Sequence, residues 1–177
     1  MKVYLFFLSI LLTPALFGQQ LTREGSKKLD KLISDLYPQQ TINLKKLDLQ
    51  ASHITDTEIL NADGHWFAIA ENDITRGWLS VNKIWGRYHE FEYAMIIDSS
   101  FKIKNITILS YPATHGNAVT NKKWLVKFNG YSASNTPEYG REIDALAGAT
   151  ISGTSLSHSV KKSLLIFGKL QKSGLLK

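Results

Sequence analysis

Hydrophobic residues recur at helical spacing in two parts of this chain. The stretch from Ser26 to Pro38 places them on one face of an amphipathic helix that Pro38 ends. The stretch from Thr154 to Gly174 repeats the pattern, with lysines that suit the C-terminal end of a helix. The apolar positions are Leu29, Leu32, Ile33 and Leu36 in the first stretch, and Leu156, Val160, Leu164 and Phe167 in the second. Both segments are predicted to be helices that pack one face against a core.

The middle of the chain favours β-strands. HWFAIAEND and GWLSVNKIWG are rich in aromatic and β-branched residues, and their tryptophans are expected in the core: Trp66, Trp78 and Trp85. In HEFEYAMIID apolar residues alternate with Glu90 and Glu92, which indicates a strand with these two carboxylates on a solvated face. A turn at DSS and the strand FKIKNITILSY follow, so the two strands are predicted to form an antiparallel hairpin.

The remaining segments are shorter. TDTEILNADG is expected to be a short helical turn, and PATHGNAVTNKKWLVKFNG a loop followed by a short helix or turn around Trp124 and Phe128. YSASNTPEYG is expected to be a loop. The order helix, strands, helix predicts a single α+β domain whose antiparallel sheet is flanked by an N-terminal and a C-terminal helix.

The first residues have the pattern of a secretory signal peptide, predicted to span residues 1–18. Lys2 precedes an apolar run from Val3 to Leu12, and small residues lead to Gly18. The run is short for a membrane span. The protein is therefore expected to be exported to a periplasmic or extracellular location. An uncleaved N-terminus that associates with the membrane is the alternative.

Composition narrows the possible functions. The chain is 44% hydrophobic and 11% aromatic, which is typical of a folded domain. Its net charge is +6, but the lysines are scattered and no nucleic-acid motif occurs, so a solvated basic surface is expected and nucleic-acid binding is not. The chain has no cysteine, which excludes disulfides and thiolate chemistry. The histidines lack metal-ligand spacing, and no Gly-x-Ser-x-Gly pattern occurs, so neither a metal site nor a catalytic residue is predicted.

The stretch DALAGATISGTS, Asp144 to Ser155, concentrates small and hydroxyl residues where the last helix begins. Gly148 leaves room for a bulky group to approach the backbone. Hydroxyls such as that of Thr150 lie beside the free amides and partial positive charge of a helix N-terminus, which suit a phosphate. The alternative is a glycine-containing loop with an ordinary Ser/Thr helix cap.

The residue order from Asp144 to Ser152 resembles the flavinylation motif of the FMN-binding domain family. That family includes a covalently flavinylated component of the sodium-pumping NADH:quinone reductase and its counterpart in the Rnf complex. The family pattern is an aspartate, two variable residues, usually a serine, then Gly-Ala-Thr or Gly-Ala-Ser, and soon another hydroxyl residue. In this chain Ala147 stands where serine or threonine is usual.

Three upstream segments extend the resemblance. EFEYAMIIDSSFKIKNITIL is similar to the family's hairpin, ILSYPATHGNAV to its strand and loop ending in Thr-His-Gly, and WLVKFNGYSA to its next segment. Together with the motif, they extend the resemblance from about Trp78 to Phe167. Domain boundaries are therefore predicted as a signal peptide at 1–18, an N-terminal helical segment and first strand at 19–75, and an FMN-binding domain at 76–170.

The resemblance implies a covalent cofactor. FMN would be joined through a phosphoester bond to Thr150, giving phosphothreonyl-FMN, and a separate flavin transferase would use FAD as the donor. Asp144 matches the aspartate of the transferase's target motif. The other cofactor-binding residues implied are Leu146, Gly148, Ala149 and Ser152 near the phosphate, and Thr114, His115, Gly116 and Trp124 near the isoalloxazine. His115 would offer a titratable hydrogen-bond partner and Trp124 a flat face. The alternatives are a plain surface or capping histidine and a core tryptophan.

The implied function is electron transfer outside the cytoplasm. Electrons would come from a membrane-bound or exported donor and pass to another redox partner, so the protein is expected to be a carrier more than a turnover enzyme. A covalent link keeps the cofactor from being diluted away. Two alternatives remain: a flavin-dependent reductase of a small exported acceptor, and a non-redox scaffold in which Thr150 stays unmodified.

Overall fold

The structure, a computed structural model, describes residues 21–38, 40–49, 56–57 and 64–176. The predicted signal peptide at 1–18 lies outside these residues, and so does most of the helical turn predicted in TDTEILNADG. The elements are α1 (Arg23–Leu36), β1 (Ile42–Lys46), β2 (His65–Glu71), β3 (Ile74–Trp85), β4 (Glu90–Asp98), β5 (Ile103–Ser110), α2 (Lys122–Leu125) and α3 (Thr150–Lys172). Two short 3-10 helices, Asn117–Thr120 and Val126–Phe128, flank α2.

The five strands form one antiparallel sheet in the order β1-β2-β3-β4-β5. The predicted β4–β5 hairpin is confirmed, and its turn is closed by Phe101 N–H donating to the Asp98 carbonyl at 2.9 Å. Strand β1 was absent from the sequence prediction because only Ile42 and Leu44 are buried in its five residues, which is too short an alternation to detect. The boundary predicted between residues 75 and 76 falls inside β3, so the parts on either side share one sheet.

One helix covers each face of the sheet. The apolar stripe of α1 packs against alternate sheet residues such as Phe67, Leu79 and Ile96. The stripe of α3 packs on the other face against residues such as Trp78 and Tyr93. The Tyr93 hydroxyl also lies 2.8 Å from Ser159 Oγ on α3. Burial raises the pKa of Tyr93 to about 12. The predicted α+β fold, a single domain with two flanking helices, is confirmed.

The prediction that Glu90 and Glu92 lie on a solvated face of β4 is wrong. Glu92 is only 2% exposed, because α1 covers the face on which it lies. Its carboxylate accepts hydrogen bonds from the Thr22 backbone N–H at 3.0 Å and from Thr22 Oγ1 at 2.9 Å. Thr22 Oγ1 in turn accepts from Gly25 N–H at 3.0 Å and so caps α1. Glu90 is partly exposed and forms an ion pair with Lys83.

The three strand tryptophans differ in environment. Trp66 and Trp78 are buried in the core under α3, as predicted. The prediction is wrong for Trp85, which is 63% exposed at the last position of β3. Among the described residues, no helix is long and apolar enough to cross a membrane.

Candidate functional site

A cavity of about 410 Å³ lies beside the first turn of α3. Residues 148–152 form one of its walls, and His115 with Gly116 form a second. Arg87 and Tyr88, in the turn between β3 and β4, form a third. The fold therefore brings together two segments that were predicted from the sequence, and it adds one that was not.

Helix α3 begins without a side-chain cap. Its N-cap residue is Ala149, whose methyl group cannot accept a hydrogen bond, so the alternative of an ordinary Ser/Thr cap is wrong. The first backbone bond of the helix runs from Gly153 N–H to the Ala149 carbonyl at 2.8 Å. The amides of residues 150–152 precede that bond and have no intrahelical acceptor. This open N-terminus favours an anion.

Thr150 is the first residue of α3 and lies at the surface, against the cavity. Its Oγ1 donates a long hydrogen bond of 3.3 Å to the Leu146 carbonyl. Gly148, two residues earlier, has a φ of +73°, a conformation that glycine adopts without strain and that turns the chain into the helix. The Thr150 hydroxyl is thus accessible at the open end of the helix.

Ser152 has a different environment from Thr150. It is only 2% exposed, and its Oγ lies 3.0 Å from the Tyr111 hydroxyl. That hydroxyl also donates to the His115 carbonyl at 3.0 Å. A Cβ added to Gly116 would lie 2.6 Å from the Tyr111 hydroxyl oxygen, so a side chain here would displace that hydroxyl. Ser152 therefore joins the first turn of α3 to the His115 loop.

The His115 side chain lies at the cavity with its ring held by its neighbour. Thr114 Oγ1 and His115 Nδ1 are 3.0 Å apart, and both residues are exposed. Thr114 thereby orients the imidazole that lines the cavity. The predicted position of this loop beside residues 148–152 agrees with the structure, although contact with a flavin stays a prediction.

Trp124 does not offer its face to the cavity. Its side chain is 5% exposed and packs edge-on against Phe128, with ring centroids 5.2 Å apart. Its indole N–H donates to the Asp144 backbone carbonyl at 2.8 Å. Of the two alternatives, the core tryptophan fits the structure, and Trp124 anchors the loop that precedes α3.

The rest of the motif is arranged around this anchor. Asp144 extends its carboxylate to the surface, where it pairs with Lys127 and stays 65% exposed. Leu146 donates its backbone N–H to the Tyr139 hydroxyl at 2.9 Å, and its carbonyl accepts from Ala149 N–H at 3.2 Å. The aspartate is therefore displayed to solvent, while Leu146 shapes the turn into α3.

Arg87 and Tyr88 were not predicted from the sequence. They lie in a tight turn closed by Gly86 N–H donating to the His89 carbonyl at 2.9 Å. The Arg87 guanidinium carbon lies 5.1 Å from the centroid of the Tyr88 ring, a cation–π distance. A basic residue beside an aromatic one in the turn between two strands is only a weak indication of a binding site. Nothing in the spacing of Arg87 and Tyr88 relates them to residues 148–152.

A comparison with known proteins finds a match for the part of the chain that contains this cavity. Residues 86–165 match the sequence profile of the FMN-binding domain, which confirms the resemblance. The matched range includes all three walls of the cavity. No curated protein matches the chain significantly.

The fold resembles that of a solved structure, NqrC of Shewanella oneidensis. The TM-score is 0.53, with 12% sequence identity, and the match covers 86% of this chain and all of that one. At this identity the likeness shows the fold alone.

Proposed function

We propose that this FMN-binding domain belongs to an exported electron-transfer flavoprotein, with FMN attached through a phosphoester bond to Thr150. The observation that carries the proposal is the exposed Thr150 hydroxyl, which lies at the open N-terminus of α3 and beside the cavity. The family match supports FMN as the cofactor. Electron transfer, the phosphoester link and the export are the proposed parts.

The residues present fit FMN. A phosphate at Thr150 would lie next to the free amides of residues 150–152 and the positive end of the α3 dipole. The cavity has a volume of about 410 Å³, within the range of about 300–1,000 Å³ that is usual for ligand sites. Its lining includes a tyrosine, a histidine and an arginine, which suit an aromatic, electron-accepting ring.

Thr150 is the best-placed hydroxyl at this cavity. Ser152 also lies in the first turn, but it is buried and its hydroxyl is hydrogen-bonded to Tyr111. Thr154 is exposed, but it lies one turn further along α3, beyond the first intrahelical hydrogen bond. Accessibility and the open helix end coincide at Thr150.

The attachment reaction balances with FAD as the donor. The Thr150 oxygen would form a bond to the FMN phosphorus while the pyrophosphate bond of FAD breaks, so that AMP leaves and the hydroxyl proton is released. A separate transferase would carry out this step. The exposed carboxylate of Asp144 is accessible to such an enzyme, in agreement with the role that the resemblance gives it.

Bound FMN would supply reversible electron uptake and release, while the protein supplies position and electrostatics. The α3 amides would hold the phosphodiester, and the imidazole of His115 would act as a hydrogen-bond partner on the cavity wall. The covalent bond would keep the cofactor with its protein outside the cytoplasm. Membrane-bound or exported redox partners would then exchange electrons with it.

The start of the fold is compatible with export. Helix α1 begins at Arg23, and its N-cap Thr22 is held by Glu92. Thr22 and Arg23 both follow Gly18, where the predicted signal peptide ends. Cleavage there would leave the described fold intact.

The mass of protein made together with a flavin transferase tests the proposal. The parent should gain the mass of FMN minus water and fluoresce in a denaturing gel. Thr150→Val should lose both signals, because the nucleophilic oxygen is gone. Thr154→Val removes an exposed hydroxyl one turn away and should keep both. An adduct that persists in Thr150→Val would refute the assignment.

A further inference from the structure

The turn between β3 and β4 borders the cavity but lies far in sequence from the flavinylation motif. We propose that Arg87 and Tyr88 in this turn bind the flavin. Tyr88 contacts the isoalloxazine, and Arg87 places a positive charge beside it that raises the midpoint potential. This inference rests on the proposed function, because it concerns the same cavity.

The turn is fixed against the first turn of α3. A Cβ added to Gly86 would lie 2.9 Å from Ser152 Oγ, so the Gly86 backbone packs directly against the Ser152 side chain. The turn is closed by the hydrogen bond from Gly86 N–H to the His89 carbonyl. Arg87 and Tyr88, between these two residues, are thereby held beside the wall that carries Thr150.

The chemistry of this wall matches the part of FMN that α3 does not accommodate. The phosphate end belongs at the helix N-terminus, so the ring must lie against another surface. Tyr88 lines the cavity and is 56% exposed, whereas Trp124 is buried in the core. Tyr88 therefore supplies an accessible aromatic surface inside the cavity.

Arg87 gives the wall a permanent charge. A guanidinium stays protonated at all physiological pH values. Its cation–π contact with Tyr88 keeps the charge next to that ring. Reduction adds negative charge to an isoalloxazine, and a nearby cation favours the more negative form. The potential should therefore be higher with Arg87 than without it.

Two sets of variants, measured as flavinylated protein, test these roles. Tyr88→Leu should make the bound flavin brighter and shift its absorption band, because a tyrosine in contact with the ring quenches its fluorescence. Trp85→Leu is the matched control: it removes an exposed aromatic residue from the end of β3, just before the turn, and should change neither signal. Fluorescence is expressed per covalent flavin, so that partial loading does not affect the result.

The charge is tested by redox titration. Arg87→Gln should lower the midpoint potential, and Arg87→Lys, which keeps the charge, should stay closer to the parent. Lys83 on β3 forms an ion pair with Glu90 on β4. Lys83→Gln removes this paired positive charge and should leave the midpoint potential unchanged.

The outcomes separate this inference from the proposed function. A parent that acquires no covalent flavin would refute both. A loaded parent whose Tyr88→Leu and Arg87→Gln variants match it in brightness and potential would overturn the inference alone. Variants that are folded by circular dichroism but remain unloaded would place the turn in transferase recognition and also overturn it.

Discussion

The two helices that cover the sheet begin in opposite ways. Helix α1 is closed by Thr22, which caps it, and by the buried carboxylate of Glu92, which holds that cap. Helix α3 begins at Ala149 without a side-chain cap, and the residues of its first turn line a cavity. A Ser, Thr or Asp cap contributes about 1 kcal/mol to a helix, so α3 forgoes a stabilising interaction that α1 has. The closed end serves stability, and the open end is suited to a ligand.

Most of the apolar packing of helix α3 lies beyond its first turn. The helix is 23 residues long, and its stripe of buried residues runs from Leu156 to Leu170. Packing of such a face supplies most of the stability of a helix in a protein. This packing offsets the missing cap at the N-terminus.

The largest expected effect comes from Trp124, which anchors the loop before α3. Trp124→Ala should destabilise the protein by about 3–5 kcal/mol, because it removes a buried indole. It also removes the hydrogen bond to the Asp144 carbonyl. Chemical denaturation measures the loss. A change in flavin spectrum with unchanged stability would show instead that Trp124 stacks on the ring.

Glu92 should have the next largest effect, confined to the α1 side of the sheet. Glu92→Ala removes the charge-assisted hydrogen bonds that Thr22 donates from its backbone N–H and its Oγ1, and should cost about 3 kcal/mol of unfolding free energy. The absorption spectrum of the covalent flavin should stay the same, since the cavity adjoins the other helix. Glu90→Ala breaks only a partly exposed ion pair and should cost less than about 1 kcal/mol. Equal losses in the two variants would contradict the assigned role of Glu92.

Asp144 should have the smallest effect on stability and a large one on flavin loading. Its ion pair with Lys127 is exposed, so Asp144→Ala should change the unfolding free energy by less than about 1 kcal/mol. The yield of covalent flavin, measured by intact mass, should fall sharply, because the resemblance makes this carboxylate part of the motif that the transferase recognises. Lys127→Gln breaks the same ion pair, keeps the carboxylate and should load normally. A similar fall in both variants would make the ion pair, and not Asp144 itself, the requirement.

Most of the fold could be predicted from hydrophobic periodicity. The two helices and the β4–β5 hairpin have patterns long enough to detect. The burial of Glu92 could not be predicted, because alternation looks the same whether the second face of a strand meets water or a helix. Only the position of α1, which depends on contacts distant in sequence, decides between these outcomes.

The sequence predicts those parts of the candidate site that lie within a short stretch of the chain. Residues 148–152 and the His115 loop were identified by the residue order that resembles the family. Arg87 and Tyr88 were not, because they reach the cavity only through the pairing of β3 with β4 and the close approach of Gly86 to Ser152. Such approaches across the fold leave no local pattern in the sequence.

The most direct test of the open helix end as an attachment site is to locate the flavin on the chain. Trypsin should release the peptide from Glu142 to Lys161, which contains Thr150, Ser152 and Thr154. In protein made together with a flavin transferase, fragmentation of this peptide should assign the mass of FMN minus water to Thr150. Assignment of that mass to another residue, or a peptide without it, would contradict the account.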